Sequence, residues 1–309
     1  MAEDMIEAQG LTKRFGDFTA VDSVDLQVPE GEVLALLGPN GAGKTTSVRM
    51  LASILRPTDG FARIAGYDTV IHARHVRRLI GLLTEFPGLY LRMRGDEYLD
   101  FFGELQGMPS RERKARIDAL MERFELLSAR KQRTGQYSKG MRQKLALVRA
   151  MLHDPMVLFL DEPTSAMDPQ SARLVRDAIL ELRRDRRTVV LCTHNLAEAE
   201  ELADRIAIIR NGSIVALGTP DQLKTELLGE PLLDLRLGQP LDGLLSELDQ
   251  MIRVEAYGDN WVQYRASKPN EANPELLRWL AHRDVPVITL SPVQRSLEDV
   301  YLRIVEEEG

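Results

Sequence analysis

The residues with the clearest chemical potential form a glycine-rich loop between an apolar run and a helical segment. The loop matches the pattern G-x-x-x-x-G-K-[ST] with the residues Gly38, Pro39, Asn40, Gly41, Ala42, Gly43, Lys44 and Thr45. Glycines let the backbone turn tightly and point successive N–H groups inward at the start of a helix, which creates an anion site. The loop therefore predicts that the chain binds a nucleoside triphosphate.

The residues that end this loop predict how the phosphates are held. The Lys44 ammonium would lie against the β- and γ-phosphates as a point charge, and the Thr45 hydroxyl would bind Mg²⁺. Thr46 lies in the first turn of the following helix, beside the same phosphates. No N-K-x-D motif, which would recognise guanine, occurs in the chain. ATP with Mg²⁺ is the expected ligand.

A second chemical feature follows the apolar run 157–160, which ends in the carboxylates Asp161 and Glu162. A phosphate loop needs a second magnesium anchor at the end of a neighbouring strand, and Asp161 would supply it through the water shell of the ion. Glu162 would polarise the attacking water as a general base. An acidic turn after a core strand is the alternative. Together the loop and the carboxylates predict an ATPase.

Composition excludes several other classes. The 309 residues carry 40 Lys and Arg against 47 Asp and Glu, and this net charge of −7 argues against a dedicated nucleic-acid binder. No apolar stretch approaches the roughly 18 residues that span a bilayer. The start of the chain lacks the pattern of a signal peptide, and its single cysteine, Cys192, cannot form an intrachain disulfide. We expect a cytoplasmic chain that does not cross a membrane by itself.

Hydrophobic periodicity predicts the elements that position these residues. From residue 95, apolar side chains such as Tyr98, Leu105 and Leu127 recur at helical spacing, which predicts a helical insert before the acidic strand. Alternating and short apolar runs predict strands at 5–11, 18–21, 24–28, 33–37, 156–160, 188–192, 206–209 and 214–217, the last two joined by a hairpin turn at Asn211-Gly212.

The composition changes around residues 218–230, which predicts a domain boundary near residue 225. Beyond it the patterns predict the order βαββαβ of a ferredoxin-like unit, followed by a last helix. The predicted elements are strands at 232–237, 253–257, 261–265 and 285–290 and helices at 241–251, 273–283 and 297–306.

The segment 137–144 resembles the signature loop of ABC transporter ATPases, in the divergent form common in the subfamily that serves ABC-2 type exporters. A histidine after the strand 188–192 completes the family order of phosphate loop, signature, acidic strand and switch histidine. The resemblance implies an α/β fold. A P-loop ABC ATPase core would occupy residues 1–225 and would contain an antiparallel β subdomain and a helical subdomain at about 86–150. A small α+β accessory or regulatory domain would occupy 226–309.

In that family, ATP lies between two subunits, with the phosphate loop of one facing the signature of the other. Ser138, Lys139, Gly140 and Met141 would therefore contact the ATP of a partner subunit. Ser138 is placed as an N-cap, so a helix N-terminus would point at that partner's γ-phosphate. The chain has Tyr137, Lys139 and Met141 where the family consensus has Leu, Gly and Gln. Since Ser138 and Gly140 remain, we expect a working site.

The resemblance implies roles for four further residues. Phe15 matches the aromatic residue that stacks on adenine, and His194 matches the switch histidine that reaches the γ-phosphate. Asp168 matches the D-loop residue that touches the partner's site, and it also reads as an N-cap before Pro169. Glu85 stands where the family usually has a glutamine that contacts Mg²⁺; its carboxylate could still bind the ion.

The resemblance also implies partners. The chain would form a homodimer, or a heterodimer with another ABC ATPase subunit, and would drive a separate transmembrane ABC-2 type permease docked near residues 85–107. It would lie at the cytoplasmic face of the membrane, with no nucleic-acid partner. The segment 296–302 is similar to the ending of drug-resistance-type subunits. Drug, lipid, polysaccharide and peptide export all stay open.

Other kinds of ABC ATPase give weaker matches. ABC ATPases of translation normally carry two cassettes in one chain, and those of chromosome maintenance split the cassette with a long coiled coil. This chain has one uninterrupted cassette. A nucleotide-gated scaffold that hardly hydrolyses ATP is a third alternative, and the presence of both Glu162 and His194 speaks against it.

Overall fold

The computed structural model describes residues 4–165, 167–241, 243–293 and 296–306. Contacts divide the chain into two compact units, Met1–Pro220 and Asp221–Gly309. This division lies close to the boundary expected near residue 225, although the assignment of the units as a nucleotide-binding and an accessory domain stays a prediction. Within the described ranges, no helix is both long and apolar enough to span a membrane.

The first unit combines two β-sheets with a group of helices. Its strands are β1 (Asp4–Phe15), β2 (Phe18–Pro29), β3 (Val33–Leu37), β4 (Asp59–Ile64), β5 (Tyr67–Asp68), β6 (Ile80–Leu83), β7 (Val157–Asp161), β8 (Thr188–Thr193), β9 (Arg205–Arg210) and β10 (Ser213–Gly218). Its helices are α1 (Lys44–Leu51), α2 (Ala73–Leu79), α3 (Gly95–Leu105), α4 (Ser110–Arg123), α5 (Lys139–Met151), α6 (Pro169–Arg184) and α7 (Leu196–Leu202). Single 3₁₀ turns cover Leu127–Ala129 and Thr134–Gln136.

A six-stranded sheet in the order β10-β9-β3-β8-β7-β6 carries the functional residues. All of its pairs are parallel except the hairpin of β9 and β10. The carboxyl ends of parallel strands lie at the same edge of a sheet, where open α/β sheets bind their ligands. The loops after β3, β6, β7 and β8 therefore meet at one edge, and each of them carries a predicted site residue.

The central strands are apolar throughout because both of their faces are covered. In β7, Phe159 packs into the core shared with the antiparallel sheet, and its neighbour Leu160 packs into the core shared with the helices. In β3, Leu36 packs into the first of these cores and Val33 into the second. Parallel strands buried on two faces read as continuous apolar runs, which is why these segments show no alternation.

The second sheet is antiparallel, in the order β2-β1-β4-β5. The predicted strands at 18–21 and 24–28 form a single strand, so that prediction was wrong. Ser23 adopts a φ of 50°, and its N–H donates to the hydroxyl of Thr12 at 3.0 Å. A bulge of this kind breaks the alternation of side chains without ending the strand. Strands β4, β5 and β6 and helix α2 were not predicted.

The helical insert contains α3, α4 and α5, within and just beyond the predicted range 86–150. Tyr98 is fully buried in its core. Two residues assigned to the apolar stripe do not belong to it, since Leu105 is 65% exposed and Leu127 is 38% exposed. Leu105 is the last residue of α3, and the chain turns at Gly107, whose φ is 80°.

The second unit is an antiparallel sheet with helices. Its elements are β11 (Leu232–Leu237), α9 (Leu245–Met251), β12 (Arg253–Tyr257), β13 (Trp261–Arg265), α10 (Pro269–Ala281), β14 (Val287–Pro292) and α11 (Leu297–Glu306), and α8 (Pro220–Leu228) leads into it. The strand order β12-β13-β11-β14 is that expected of the ferredoxin-like sequence βαββαβ.

Boundaries in this unit differ from the predicted ones by a few residues. Helix α9 begins at Leu245 instead of residue 241, and β14 begins at Val287 instead of residue 285. Helix α10 begins earlier than predicted, at Pro269, because proline has a backbone suited to the first helical turn and needs no N–H partner there. Pro274 lies inside the helix, in its second turn.

Candidate functional site

The glycine-rich loop lies between β3 and α1, as predicted. A Cβ atom on Gly38 would lie 2.2 Å from the carbonyl oxygen of Ile209, in the neighbouring strand β9. Gly43 caps the N-terminus of α1 with a φ of 107°, and a Cβ there would lie 2.5 Å from the carbonyl oxygen of Ala20. Only glycine fits both positions, so the sequence pattern reflects a close approach of three backbone segments.

The Lys44 side chain folds back over this loop. It is buried, and its ammonium donates to the carbonyl oxygens of Gly38 at 2.5 Å and Pro39 at 3.0 Å. These bonds hold a positive charge at the mouth of the α1 N-terminus, where the helix dipole already favours an anion. The loop therefore offers both backbone N–H groups and an ammonium to a phosphate.

A hydrogen bond between Thr45 and Asp161 joins the helix after β3 to the end of β7. The Thr45 hydroxyl donates to Oδ2 of Asp161 at 2.9 Å. Burial raises the pKa of the Asp161 carboxyl; the Thr45 hydrogen bond opposes this, while the nearby carboxylates of Glu162 and Glu85 add to it. A hydroxyl and a buried carboxylate at this distance form an oxygen donor set suited to a hard cation.

We expect Asp161→Asn to stabilise the nucleotide-free protein at neutral pH. The pKa of Asp161 in the folded protein lies above the ordinary value of 3.8. Deprotonation therefore lowers the free energy of unfolding as pH rises from 3.8 through the folded pKa, and the full loss persists at higher pH. Asparagine removes the cost and can still accept from Thr45. Thermal unfolding from acidic to neutral pH should show a higher Tm for the variant at neutral pH and a difference that shrinks as pH falls. A lower Tm for the variant at neutral pH would contradict the burial argument.

Glu162 and His194 form a second pair at the same edge of the sheet. Glu162 has a φ of 50°, a left-handed conformation that is uncommon for residues other than glycine. Its N–H donates to the Cys192 carbonyl oxygen at 2.9 Å, and its Oε1 lies 2.7 Å from Nδ1 of His194. The same Oε1 accepts from the His194 backbone N–H at 3.0 Å. This unusual backbone turns Glu162 toward His194, while Asp161 stays directed at Thr45.

Glu198, which was not singled out from the sequence, holds the loops around this pair. Its buried carboxylate accepts from the Thr193 hydroxyl at 2.8 Å and from the Thr164 hydroxyl at 2.6 Å. These threonines lie just before His194 and just after Glu162 in the chain. The available signal was the spacing Asn195-x-x-Glu198, in which the Asn195 side chain caps α7 by accepting from the Glu198 N–H.

A cavity of about 370 Å³ opens over the loop and the carboxylates. This volume lies within the usual range for small-molecule sites. Two exposed aromatic residues line it, Phe15 and Phe18, which face each other as the last residue of β1 and the first of β2. Phe18 had not been singled out. The other predicted residues in the lining are Asn40, Gly41, Ala42, Gly43, Lys44, Thr45, Thr46, Glu85, Asp161 and Glu162.

The signature residues lie apart from this cavity and do not contribute to its lining. Ser138 caps α5 and accepts from the Met141 N–H at 3.2 Å, as its position in the sequence predicted. Ser138 and Lys139 are exposed to solvent. A single copy of the chain therefore does not bring the signature to its own phosphate loop.

Tyr137 replaces the consensus leucine of the signature for a visible reason. It is buried, and its hydroxyl donates to the Ala129 carbonyl oxygen at 2.9 Å. Burial raises the pKa of Tyr137 to about 12. A Cβ on Gly95, the first residue of α3, would lie 2.2 Å from this hydroxyl. Tyr137 thus bonds the signature to the 3₁₀ turn Leu127–Ala129 and packs against the first turn of α3, where Gly95 leaves room for it.

Asp168 caps helix α6, and its side chain accepts from the Ser171 N–H at 2.9 Å. This bond lowers the pKa of the Asp168 carboxyl. Asp168 is exposed and, like Ser138, does not line the cavity. The structural role expected of an N-cap is present, and the contact with a partner subunit stays a prediction.

Comparison with known proteins agrees with this geometry. Residues 21–165 match the family model described as ABC transporter. The daunorubicin resistance ATP-binding protein DrrA3 of Streptomyces coeruleorubidus is 44% identical over 230 residues, covering 74% of this chain and 73% of that relative. The Nod factor export ATP-binding protein I of Ralstonia nicotianae is 33% identical over 305 residues, covering 98% of this chain and 94% of that relative.

A solved structure shares the fold. It is the dimeric post-hydrolysis state of the ATP-binding cassette MJ0796 bound to ADP and Pi, with a TM-score of 0.65 and 25% identity over 70% of this chain and 98% of that chain. The predicted fold class and the resemblance are confirmed by these matches. The chain thus belongs to the ATP-binding subunits of the ABC transporter family, and it is an ATPase.

Proposed function

We propose that the chain is the motor subunit of an ABC-2 type membrane exporter, and that it closes on ATP as a nucleotide-sandwich dimer. The observation that carries this proposal is the separation of the two halves of the site. The phosphate loop, both carboxylates and Phe15 surround one cavity, whereas Ser138 is exposed elsewhere as a helix cap. A second subunit can supply the missing helix N-terminus.

The nucleotide would lie across the cavity. Phe15 would stack on the adenine. The Lys13 ammonium lies over the Phe15 ring, 5.2 Å from its centre. The phosphates would take the N–H groups of the loop, the Lys44 ammonium and the first turn of α1. The residues assigned to this contact are Gly38, Pro39, Asn40, Gly41, Ala42, Gly43, Lys44, Thr45 and Thr46.

Mg²⁺ fits the donor set at Thr45 and Asp161. The described residues contain no cluster of three or more potential ligands that could enclose a metal, and Mg²⁺ characteristically binds through one or two carboxylates, water and substrate phosphates. Glu85 lines the same cavity and is a further oxygen donor. When bound, the ion would neutralise charge on the β- and γ-phosphates. It would also relieve the cost of burying the Asp161 carboxylate.

Hydrolysis would depend on the Glu162 and His194 pair. Glu162 would accept a proton from water as the water oxygen attacks the γ-phosphorus, and the bond to the bridging oxygen would break to give ADP and phosphate. His194 Nδ1 lies 2.7 Å from the Glu162 carboxylate. His194 does not line the cavity itself, and in this proposal it would contact the γ-phosphate once the nucleotide is bound. Lys44 would offset charge on the same phosphate.

Dimer closure would complete the site from the other side. Ser138, Lys139, Gly140 and Met141 of one subunit would face the γ-phosphate held by the other, and Asp168 would touch the partner's site. The dimer could be formed by two copies of this chain or with a related subunit. The dimeric state of the MJ0796 cassette supports this arrangement.

The membrane half of the exporter would be a separate permease of the ABC-2 type, docked near residues 85–107. The relative named for Nod factor export aligns over nearly the whole chain, including the second unit, which supports export as the direction of transport. The chain would then lie at the cytoplasmic face of the membrane through this permease. Dimer contact or regulation is the role proposed for the unit beyond residue 225.

Co-expression with the membrane protein encoded beside its gene tests this proposal. We expect a multi-helix permease without an ATPase of its own, which co-purifies with the chain and changes its rate of ATP hydrolysis in vesicles. Glu162→Gln should keep the complex and stop transport. A neighbourhood of ribosomal or DNA-repair genes, with no membrane protein in the purified complex, would contradict export and favour a soluble ABC ATPase.

A further inference from the structure

A basic and apolar surface lies on α2 and the turn before it, outside the nucleotide cavity. Arg74, His75 and Arg78 lie in α2 at the spacing i, i+1, i+4, which places Arg74 and His75 each beside Arg78 on one side of the helix. Ile71 lies in the turn just before the helix and is the fourth member. All four are exposed. Val76, on the opposite side of the helix, is fully buried, which fixes the direction in which this face points. We call these four residues the α2 surface.

Ile71 protrudes from a rigid turn. Its side chain is 78% exposed. The carboxylate of Asp68 accepts from the backbone N–H groups of Val70 and Ile71, each at 2.8 Å, and so fixes the turn. Asp68, the acidic residue that precedes the surface in the chain, therefore directs a carboxylate oxygen at the backbone. A large apolar side chain held outward in this way gains by entering an apolar environment.

The arginines of this face have no ion-pair partner among the residues that the structure describes. Across the described ranges, Arg74 and Arg78 take part in no ion pair, whereas arginines such as Arg14 and Arg113 are paired with carboxylates. Arg77, beside them, donates to the Ser53 carbonyl oxygen at 3.0 Å. Residues 71–78 include no Asp or Glu, although the chain as a whole carries a net charge of −7. The surface thus attracts anions locally in an acidic protein.

An aromatic residue borders the same face. The Tyr67 ring lies 4.0 Å from the His75 ring and 5.8 Å from the His72 ring, measured between centroids, and Tyr67 is 40% exposed. Tyrosine has an apolar ring and a polar tip, and it favours boundaries between water and an apolar phase. Arginine, an exposed aliphatic residue and a tyrosine together match the composition of interfacial membrane contacts.

We propose that the α2 surface contacts the headgroup region of an anionic lipid membrane directly. Arg74 and Arg78 would bind lipid phosphates or carboxylates, and Ile71 would enter the boundary of the acyl chains. A fluid surface can surround one protruding isoleucine and give each arginine a headgroup, whereas a protein partner would need a matched pocket between two carboxylates. This contact goes beyond the proposed motor function, because it requires neither ATP nor a permease.

Vesicle sedimentation with the purified full chain, without nucleotide, tests the proposal. The probes are vesicles of phosphatidylcholine alone and vesicles in which one third of the lipid is phosphatidylserine, at low and high salt. We expect association with the anionic vesicles only, weakened by salt. Arg74→Gln with Arg78→Gln should lower the partition coefficient about 30-fold. Each arginine near an anionic surface strengthens binding by about fivefold, and the two factors multiply. Ile71→Ser should lower it as well.

A matched control removes the same charge elsewhere. Arg111 and Lys114 lie on the exposed side of α4 at the same kind of helical spacing, and Arg111→Gln with Lys114→Gln should leave vesicle association unchanged. Unchanged ATP hydrolysis by every variant would show that each one is folded. Because vesicle association is measured without nucleotide, a failure of the lipid contact would leave the proposed motor function untouched.

Four outcomes would overturn the proposal. Equal association with neutral and anionic vesicles, or no association with either, would exclude an anionic lipid contact. An equal loss in the α4 control would show that binding follows overall charge and not this face. Unchanged vesicle binding by the α2 variants, combined with loss of a co-expressed permease, would identify the face as a protein contact instead.

Discussion

Glu162→Gln should nearly abolish ATP turnover while nucleotide binding persists. Glutamine keeps the size of the side chain and can still contact His194, but it cannot accept a proton from water. General-base catalysis typically contributes about 10²- to 10⁴-fold to a rate, so phosphate release should fall by at least about 10²-fold. Steady-state phosphate release and binding of a fluorescent ATP analogue measure the two properties separately.

The matched control for this variant is Glu122→Gln, which makes the same chemical change on the exposed side of α4. It should hydrolyse ATP at the normal rate. Turnover that survives in Glu162→Gln would assign the base to another group. Lost turnover together with lost ATP binding would indicate a damaged fold, since the Glu162 backbone also donates to Cys192 in β8.

Lys44→Gln should weaken ATP binding by about 30-fold or more. Truncating one member of a desolvated charge pair costs about 2 kcal/mol or more, and 1.4 kcal/mol corresponds to a factor of ten in affinity. Glutamine keeps an N–H donor on the side that faces the carbonyl oxygens of Gly38 and Pro39, although its side chain is one bond shorter, and it removes the charge. Isothermal titration with ATP in the presence of Mg²⁺ measures the change.

Two companion variants make the Lys44 result decisive. Lys44→Ala also removes the bonds to the loop carbonyls and should bind ATP no better than Lys44→Gln. Lys114→Gln removes a positive charge from the exposed side of α4 and should bind ATP normally. Unchanged affinity in Lys44→Gln would contradict the position of the ammonium beside the phosphates.

The convergence of the loop and the carboxylates could be predicted because it follows from parallel strands. Thr45 and Asp161 lie 116 positions apart in the chain. Thr45 lies in the helix that follows β3, and Asp161 is the last residue of β7, in the same sheet. The strands were recognisable as uninterrupted apolar runs, and their carboxyl ends have to meet at one edge. The pairing of Thr45 with Asp161 is the geometric consequence.

Glu198 and Phe18 were not identified because their significance depends on tertiary contacts. Glu198 looks like an ordinary residue in the first turn of a helix, and only the fold shows that its carboxylate joins Thr164 to Thr193. Phe18 looks like a strand residue, and its place in the cavity depends on the turn that sets it opposite Phe15. Neither contact has a local pattern in the sequence.

Local backbone irregularities account for the errors in the fold. Ser23 interrupts the alternation of β2 through a bulge whose partner, the Thr12 hydroxyl, lies in another strand. Leu105 continues the helical spacing of α3 in the sequence, but the helix ends there and the side chain is exposed. Periodicity describes a regular element well and fails at its ends, where capping and turns decide the direction of the chain.

A second subunit would complete the nucleotide site through Ser138. The most direct test of this arrangement is the solution mass of the Glu162→Gln protein by light scattering, with and without ATP and Mg²⁺, compared with the same protein carrying Ser138→Arg. We predict that ATP raises the mass from the 34.8 kDa of one chain to twice that value, and that Ser138→Arg prevents the change. A dimer that tolerates Ser138→Arg would contradict this arrangement, as would a mass that does not respond to ATP either for this chain alone or for its mixture with a related ATPase subunit.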